Sequence, residues 1–189
     1  MLLEENSGLP KPAIGYWLSS LMPEPHAIIL MGVAGSGKTA VGSRVAKRLG
    51  WLFLDADDFH PPANVEKMKR GIPLDDNDRA PWLDRLHSEL RQQLDQGHSV
   101  VLACSALKDS YRDKLRDRLP EVRFVLLDVD RNTLLERLQK RQAHFFPKEL
   151  LDSQLATLQR PQDAFVVDAN RSIDEVVDSI VEAVSEGKI

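Results

Sequence analysis

The chain has little cysteine, no long apolar run and no excess of positive charge, and each shortage excludes a class of protein. Cys104 is the one cysteine among 189 residues, which excludes an intramolecular disulfide framework and a multi-thiolate zinc site. With 25 basic and 29 acidic residues, the net charge of −4 gives no general attraction for nucleic acid or for an anionic membrane. No apolar run approaches the roughly 18 residues of a membrane span, and the opening MLLEENSGLP lacks the basic start and apolar core of a secretory signal. A cytoplasmic protein that binds neither nucleic acid nor membrane is therefore expected.

The chain divides into a short N-terminal extension and one domain. Residues 1–25 contain four of the eleven prolines, namely Pro10, Pro12, Pro23 and Pro25, with little apolar periodicity, so we expect a poorly ordered extension. Residues 26–189 have the length of a single domain, which is typically about 100–200 residues.

Short apolar runs alternate with amphipathic segments from Ala27 onward. Five runs have the length and composition of buried strands: AIILM, WLFLD, SVVLAC, FVLLDV and AFVVD. The segments between them carry apolar residues at helical spacing, and the last helix is predicted to begin with a capping box formed by Ser172 and Glu175. This pattern predicts an α/β fold with a parallel five-stranded sheet and helices on both faces.

The sequence after the first strand is a complete phosphate-binding loop, GVAGSGKT, with the spacing Gly-x-x-x-x-Gly-Lys-Thr. Glycines let backbone N–H groups wrap a phosphate, and the N-terminus of the following helix adds partial positive charge. We expect Lys38 to contact the β- and γ-phosphates of ATP and the Thr39 hydroxyl to bind Mg²⁺. The predicted nucleotide-binding residues of the loop are Gly32, Val33, Ala34, Gly35, Ser36, Gly37, Lys38 and Thr39.

Three absences narrow the reaction. The chain contains no Asn-Lys-x-Asp motif for reading guanine, no predicted strand that ends in the Asp-Glu pair typical of ATPases, and no room for the accessory domain of a motor or transporter. A compact phosphoryl-transfer enzyme that acts on a small acceptor remains.

Two carboxylates follow the second predicted strand, where open α/β sheets bind their ligands. Strand alternation places Asp55 and Asp57 on the same side, with Asp58 pointing away into solvent. We assign Asp55 to Mg²⁺ and Asp57 to the acceptor hydroxyl, as orienting group or base. Asp128, at the end of the fourth strand, is an alternative metal ligand.

Four segments resemble the gluconokinase family of small P-loop kinases, which are similar in fold to shikimate kinase and adenylate kinase. They are MGVAGSGKTAVGSRVA, FLDADDFHPPANVEKMKRGIPLDDNDRAPWL, VVLACSALKDSYRDKLR and HFFPKELLDSQLATLQ. The resemblance spans most of Ile28 to Val184 and leaves the first 25 residues outside it. It implies phosphorylation of D-gluconate by ATP at the 6-hydroxyl, a homodimer and a P-loop kinase fold with a small helical lid at about residues 137–150.

Gluconate carries one carboxylate and several hydroxyl groups, so its pocket needs cations and hydrogen-bonding side chains. The segments of the resemblance provide such groups, and we predict a substrate-binding set of Asp57, His60, Asn64, Arg79, Lys108 and Arg112. Lys108 and Arg112 are four residues apart and are expected on one helical face. Lys67 is a weaker candidate, and His60 could instead cap the helix that follows it.

Two arginines in LLERLQKRQAHFF are the candidates for the lid. By resemblance to related kinases, Arg137 stacks on adenine and Arg141 contacts the transferring phosphoryl group. A guanidinium at that position would also neutralise charge in the transition state, which makes Lys38, Asp57 and Arg141 the predicted catalytic residues. Salt bridges to Glu136 or Asp130 are the alternative role for these arginines.

Other functions stay open at this point. A different small acid, such as shikimate, could be the acceptor in the same fold. A binding module that uses ATP as a switch is a second alternative, although the set of Lys38, Asp55, Asp57, Arg137 and Arg141 argues against it. A nucleoside monophosphate kinase would need more arginines around its acceptor phosphate.

Overall fold

The structure, a computed structural model, describes residues 24–140 and 148–189. Its sheet has five parallel strands: β1 (Ala27–Met31), β2 (Leu52–Asp55), β3 (Val100–Ala103), β4 (Val122–Asp128) and β5 (Phe165–Asp168). They are arranged in the order β2-β3-β1-β4-β5, so β1 is central and β2 and β5 are the edges. The predicted parallel five-stranded sheet is confirmed.

Seven α-helices connect and cover the strands within the described ranges. They are α1 (Lys38–Leu49), α2 (Pro62–Lys69), α3 (Asp76–Asp95), α4 (Asp109–Arg116), α5 (Arg131–Lys140), α6 (Lys148–Thr157) and α7 (Ile173–Ser185), and a short 3-10 helix follows β2 at Ala56–Phe59. The predicted capping box of Ser172 and Glu175 is present at the start of α7. A second capping box, between Asp75 and Asp78, begins α3. Among the helices of residues 24–140 and 148–189, none is both long and apolar enough to cross a membrane.

The central strand separates two apolar cores. Because side chains alternate along a strand, Ala27, Ile29 and Met31 pack with α3 and α4, while Ile28 and Leu30 pack with α1, α5 and α7. All five residues of β1 are buried. Burying one such large aliphatic side chain contributes about 1.5–3 kcal/mol, so the strand is a rigid base for the loop that follows it.

The carboxyl ends of the strands all lie at one edge of the sheet, as parallel pairing requires. The loop after β1, the 3-10 helix after β2 and the loop between β3 and α4 therefore converge there. The N-terminal extension to residue 23 and the central part of the predicted lid, residues 141–147, lie outside the described residues.

Candidate functional site

The loop between β1 and α1 has the backbone of a phosphate-binding loop. Gly32, Gly35 and Gly37 all have positive φ angles, at 143°, 84° and 100°, which other residues rarely adopt. Gly37 lies immediately before α1 and offers no side chain to cap it. The first N–H groups of α1 consequently point into the loop, where helix geometry leaves them available to an anion.

Lys38 begins α1, and its ammonium group lies over the loop. Its Nζ donates hydrogen bonds to the carbonyl oxygens of Gly32 at 2.9 Å and Val33 at 3.1 Å. The only flexible cation of the loop is thus held within the ring of backbone groups where the sequence predicts phosphate.

A chain of hydrogen bonds joins the loop to the end of β2. The Thr39 hydroxyl donates to Asp55 Oδ2 at 2.8 Å, and Asp55 Oδ1 accepts from the backbone N–H of Asp57 at 3.1 Å. Asp55 and Asp57 are close, as predicted, but their closeness does not come from the alternation of side chains along a strand. The strand ends at Asp55, whose side chain caps the 3-10 helix that carries Asp57. Asp58 is exposed, in agreement with its predicted solvation.

The Thr39 and Asp55 oxygens form a pair that suits Mg²⁺, which prefers oxygen ligands. Among the residues that the structure describes, no group of three or more His, Cys, Asp or Glu side chains is arranged to hold a metal. That result fits Mg²⁺, which usually takes one or two carboxylates and completes its shell with water and substrate phosphates. Asp128, the alternative ligand, is bound by both terminal nitrogens of Arg160 at 3.0 and 2.8 Å.

Asp57 and His60 face each other across the 3-10 helix. His60 Nε2 lies 3.9 Å from Asp57 Oδ1, and the His60 ring stacks on Trp82 with centroids 4.5 Å apart. The pKa of Asp57 is raised, first because the surrounding protein displaces water from the carboxyl group and then because Asp55 carries a like charge. The side chain is nevertheless 89% exposed, so the displacement of water is only partial. The charges of His60 and, to a smaller extent, Lys38 lower the same pKa.

His60 is almost fully enclosed, with 6% of its side chain exposed. Burial lowers the pKa of the imidazole below 6.5, Asp57 opposes the shift, and Arg79 adds to it. The ring is therefore neutral at pH 7, and its buried Nδ1 lacks a hydrogen-bond partner among the described residues. Pro61, not His60, precedes α2, and the histidine side chain does not cap that helix.

Two cations and a tyrosine form the next part of the site, where α3 and α4 begin. Lys108 Nζ binds both oxygens of Asp76 at 2.7 Å, and the Tyr111 hydroxyl donates to the same carboxylate. The Tyr111 ring lies 5.4 Å from Lys108 Nζ and 5.9 Å from the guanidinium carbon of Arg79. A carboxylate is thus already bound by Lys108 and Tyr111, with Arg79 beside the Tyr111 ring, which is the chemistry that an acidic substrate requires.

Asn64 and Lys67 lie on α2 and attach it to the start of α3. Asn64 is buried and its Nδ2 donates to the Asp78 carbonyl oxygen at 2.8 Å. Lys67 Nζ binds the two Asp78 carboxylate oxygens at 2.6 and 2.8 Å. Both side chains therefore fix the position of α2, and Lys67 is engaged by Asp78.

Arg112 is 1% exposed and binds the protein's own backbone. Its guanidinium donates to the carbonyl oxygens of Ala106 at 2.7 Å and Gln159 at 2.9 Å and also to the Asp109 carboxylate. The prediction that Lys108 and Arg112 share a helical face is wrong, because Lys108 precedes α4 in an extended conformation. Arg112 therefore links the β3–α4 loop, through Ala106, to the chain that follows α6, through Gln159.

The sequence assigns Arg137 to the adenine ring and Arg141 to the transferring phosphoryl group. Arg137, on α5, donates to the Ala169 carbonyl oxygen at 2.8 Å, just beyond β5. Arg141, His144, Phe145 and Phe146 lie outside the described residues, so the part assigned to Arg141 stays a prediction.

Sequence reasoning missed four side chains that border the site. Trp82 supports His60 and donates to the Ala56 carbonyl oxygen at 2.8 Å, Asp76 and Tyr111 complete the Lys108 cluster, and Gln154 of α6 accepts from the Ala34 N–H of the phosphate loop at 2.7 Å. Their contacts join distant parts of the chain, so spacing in the sequence gave no signal for them.

Comparisons with known proteins show which family the chain resembles. A family model described as an AAA domain matches residues 28–161. The chain is 55% identical to a gluconokinase of Gluconobacter oxydans (strain 621H) over 141 residues, which cover 74% of this chain and 79% of that protein. It is 46% identical to the thermosensitive gluconokinase of Escherichia coli (strain K12) over 163 residues, which cover 84% and 87%.

A solved structure gives the same result. The crystal structure of a gluconokinase from Sinorhizobium meliloti 1021 matches with a TM-score of 0.76 and 41% identity, over 86% of this chain and 93% of that one. The phosphate loop, the fold and these relatives together make the protein a nucleotide-using kinase, and the chain belongs to the gluconokinase family of P-loop kinases.

Proposed function

We propose that the protein is a gluconokinase, which transfers the γ-phosphoryl group of ATP to the 6-hydroxyl of D-gluconate and releases 6-phospho-D-gluconate and ADP. The observation that carries the proposal is the hydrogen-bonded series from Thr39 through Asp55 to Asp57. It connects the phosphate loop to Asp57, the carboxylate that lies beside His60 and is proposed to face the acceptor hydroxyl. The names of the relatives support gluconate as the acceptor.

The nucleotide side of the site consists of the loop from Gly32 to Thr39. Its N–H groups and Lys38 would bind the phosphates, and Arg137 would lie against the adenine. Thr39 and Asp55 would hold Mg²⁺, which neutralises phosphate charge when bound. Lys38 already lies over the loop carbonyls, beside the place where the phosphates would bind.

The acceptor side consists of the groups around the 3-10 helix and the start of α4. Lys108 and Arg79 would bind the gluconate carboxylate with help from Tyr111, because Lys108 and Tyr111 already bind the Asp76 carboxylate and Arg79 lies beside the Tyr111 ring. His60 and Asn64 would contact the hydroxyl chain, and the buried Nδ1 of His60 is a polar atom without a partner among the described residues. Arg112 would hold the β3–α4 loop, which carries Lys108, in place through its hydrogen bonds to Ala106 and Gln159.

The proposed reaction is in-line displacement. Asp57 orients the 6-hydroxyl and accepts its proton as the oxygen attacks the γ-phosphorus, and the bond to the β,γ-bridging oxygen breaks with its electrons leaving on ADP. Lys38 and Arg141 stabilise the charge on the transferring group. The raised pKa of Asp57 brings the carboxylate closer to the range of an effective base.

A cytoplasmic location and a homodimer are part of the same proposal and rest on composition and on the family resemblance. The alternative acceptor, a shikimate-type acid, would use the same phosphate loop with different contacts at Lys108 and Arg79. A binding module without transfer is the second alternative.

Coupled ADP release with MgATP separates these possibilities. D-gluconate, shikimate, related sugar acids, AMP and water are compared at equal concentration. We expect saturable ADP release with gluconate and with none of the other acceptors. Release with another acid would keep the phosphate chemistry and overturn the acceptor, and binding of ATP with no release for any acceptor would indicate the binding module.

A further inference from the structure

The phosphate loop is held between the two helices that flank residues 141–147. On one side, Gly35 lies against α5 so closely that a Cβ added to it would be 3.1 Å from Leu138 Cγ. On the other side, the Ala34 N–H donates to Gln154 Oε1 of α6 at 2.7 Å. Adjacent residues at the tip of the loop thus touch both α5 and α6.

Gln154 is the polar member of this arrangement. Its amide oxygen binds a backbone N–H of the loop that receives phosphate, across 120 residues of sequence. The acceptor is neutral, so it can hold a loop N–H without placing negative charge beside the phosphates. Asp or Glu at this position would supply an equally good acceptor and would repel a nucleotide.

The position of α6 is itself fixed, so Gln154 has a defined place. Leu151, one turn before it, is fully buried in the core that contains α1, α5 and α7. Arg131 of α5 forms a two-pronged ion pair with Asp152 of α6, at 2.7 and 3.0 Å. The hydrogen bond to Ala34 therefore transmits the placement of α6 to the phosphate loop.

We propose that Gln154 is a positioning residue for the nucleotide, which sets the orientation of the Ala34 peptide and with it the neighbouring N–H groups that bind phosphate. The inference rests on the proposed function only in requiring that the loop binds a nucleotide. It does not depend on which acid accepts the phosphoryl group.

The test measures nucleotide binding and catalysis separately in the full-length protein. Gln154→Leu keeps the size of the side chain and removes the acceptor, and Gln162→Leu is the matched control at an exposed glutamine nearby. Calorimetry gives the dissociation constants for MgADP and for the magnesium complex of a non-hydrolysable ATP analogue. Steady-state kinetics give KM for ATP and for gluconate, and thermal melting reports the fold.

Leaving a loop N–H without its acceptor is expected to weaken nucleotide binding about tenfold in Gln154→Leu, with KM for ATP rising in parallel. KM for gluconate and the melting temperature should stay near those of the wild type, as should every value for Gln162→Leu. Wild-type nucleotide affinity in Gln154→Leu would overturn the proposal. An equal loss for both substrates together with a fall in melting temperature would also overturn it, because that pattern indicates a purely structural contact.

Gln154→Glu provides a second measurement if the leucine variant does not fold. It keeps an acceptor for Ala34 and adds one negative charge next to the phosphate site. We expect a folded protein with weakened nucleotide binding, and a smaller weakening at high salt because ions screen the added charge. Nucleotide affinity equal to that of the wild type at low salt would contradict the assigned location of Gln154.

The proposed function and this inference can fail separately. If the wild-type enzyme binds nucleotide but phosphorylates another acceptor, the proposed function is wrong, while the binding measurements on the Gln154 variants still test the inference.

Discussion

Replacing Arg112 with methionine tests whether a cation that the sequence assigned to the substrate instead holds the protein together. The side chain is 1% exposed and donates to two backbone carbonyl oxygens and one carboxylate. One of these carbonyls belongs to Ala106, which has a φ of 43° and needs external support in that conformation. Methionine fills a similar volume and supplies no donor.

The size of the effect follows from these contacts. The Asp109 carboxylate is 65% exposed and stays solvated without its partner, so the loss comes mainly from the two hydrogen bonds to carbonyl oxygens. At about 1.5–3 kcal/mol for each hydrogen bond from a charged donor, losing both costs about 3–6 kcal/mol. For a protein of this size, each kcal/mol lowers the melting temperature by roughly 2–4 °C, so a fall of about 6–24 °C is expected. Arg44→Met is the control, because Arg44 also pairs with an aspartate, at 2.6 Å, but half of its side chain is exposed. The control should lose at most about 1 kcal/mol.

Urea unfolding and thermal melting of the two variants provide the measurement, with KM for gluconate recorded on the folded fraction. The expected result is a large loss of stability for Arg112→Met and almost none for Arg44→Met. If Arg112→Met were as stable as the wild type and bound gluconate poorly, Arg112 would be a substrate ligand, and its structural role would be refuted.

Three further predictions concern the carboxylates. Asp57→Asn should lower kcat by about 10²–10⁴-fold with nucleotide affinity unchanged, while Asp58→Asn stays active; an unaffected kcat would remove Asp57 from the chemistry. The ionised form of Asp57 is the active one, so the raised pKa places the acid limb of kcat/KM above pH 3.8, the ordinary carboxyl value, and activity is lost as the pH falls through it. A limb at or below 3.8 would contradict this. Asp55→Asn should raise the Mg²⁺ concentration for half-maximal rate about tenfold or more, whereas Asp128→Asn should not; the reverse would assign the metal to Asp128.

The architecture was predictable because the signals for it are local. Each strand is a short apolar run, and Gly32, Gly37 and Lys38 form a pattern with one dominant structural meaning. The first predicted strand matches β1 from Ala27 to Met31, and the other four differ by a few residues at their ends. Capping at Ser172 was readable for the same reason, since the box spans four consecutive residues.

The details of the site were less predictable because they depend on where the chain turns. The nearness of Asp55 and Asp57 comes from a 3-10 helix, whereas continued strand alternation was expected. Lys108 and Arg112 have separate environments because α4 begins one residue after Lys108. The Arg112 contact to Gln159 and the Gln154 contact to Ala34 join residues 47 and 120 positions apart, and no periodicity in the sequence reports such pairs.

Phosphorus NMR of the product formed from MgATP and D-gluconate tests the central claim most directly. The account predicts a single phosphate monoester coupled to the protons of carbon 6, together with one equivalent of ADP. Phosphate on a different carbon, or inorganic phosphate without a sugar ester, would contradict the proposed alignment of the 6-hydroxyl by Asp57.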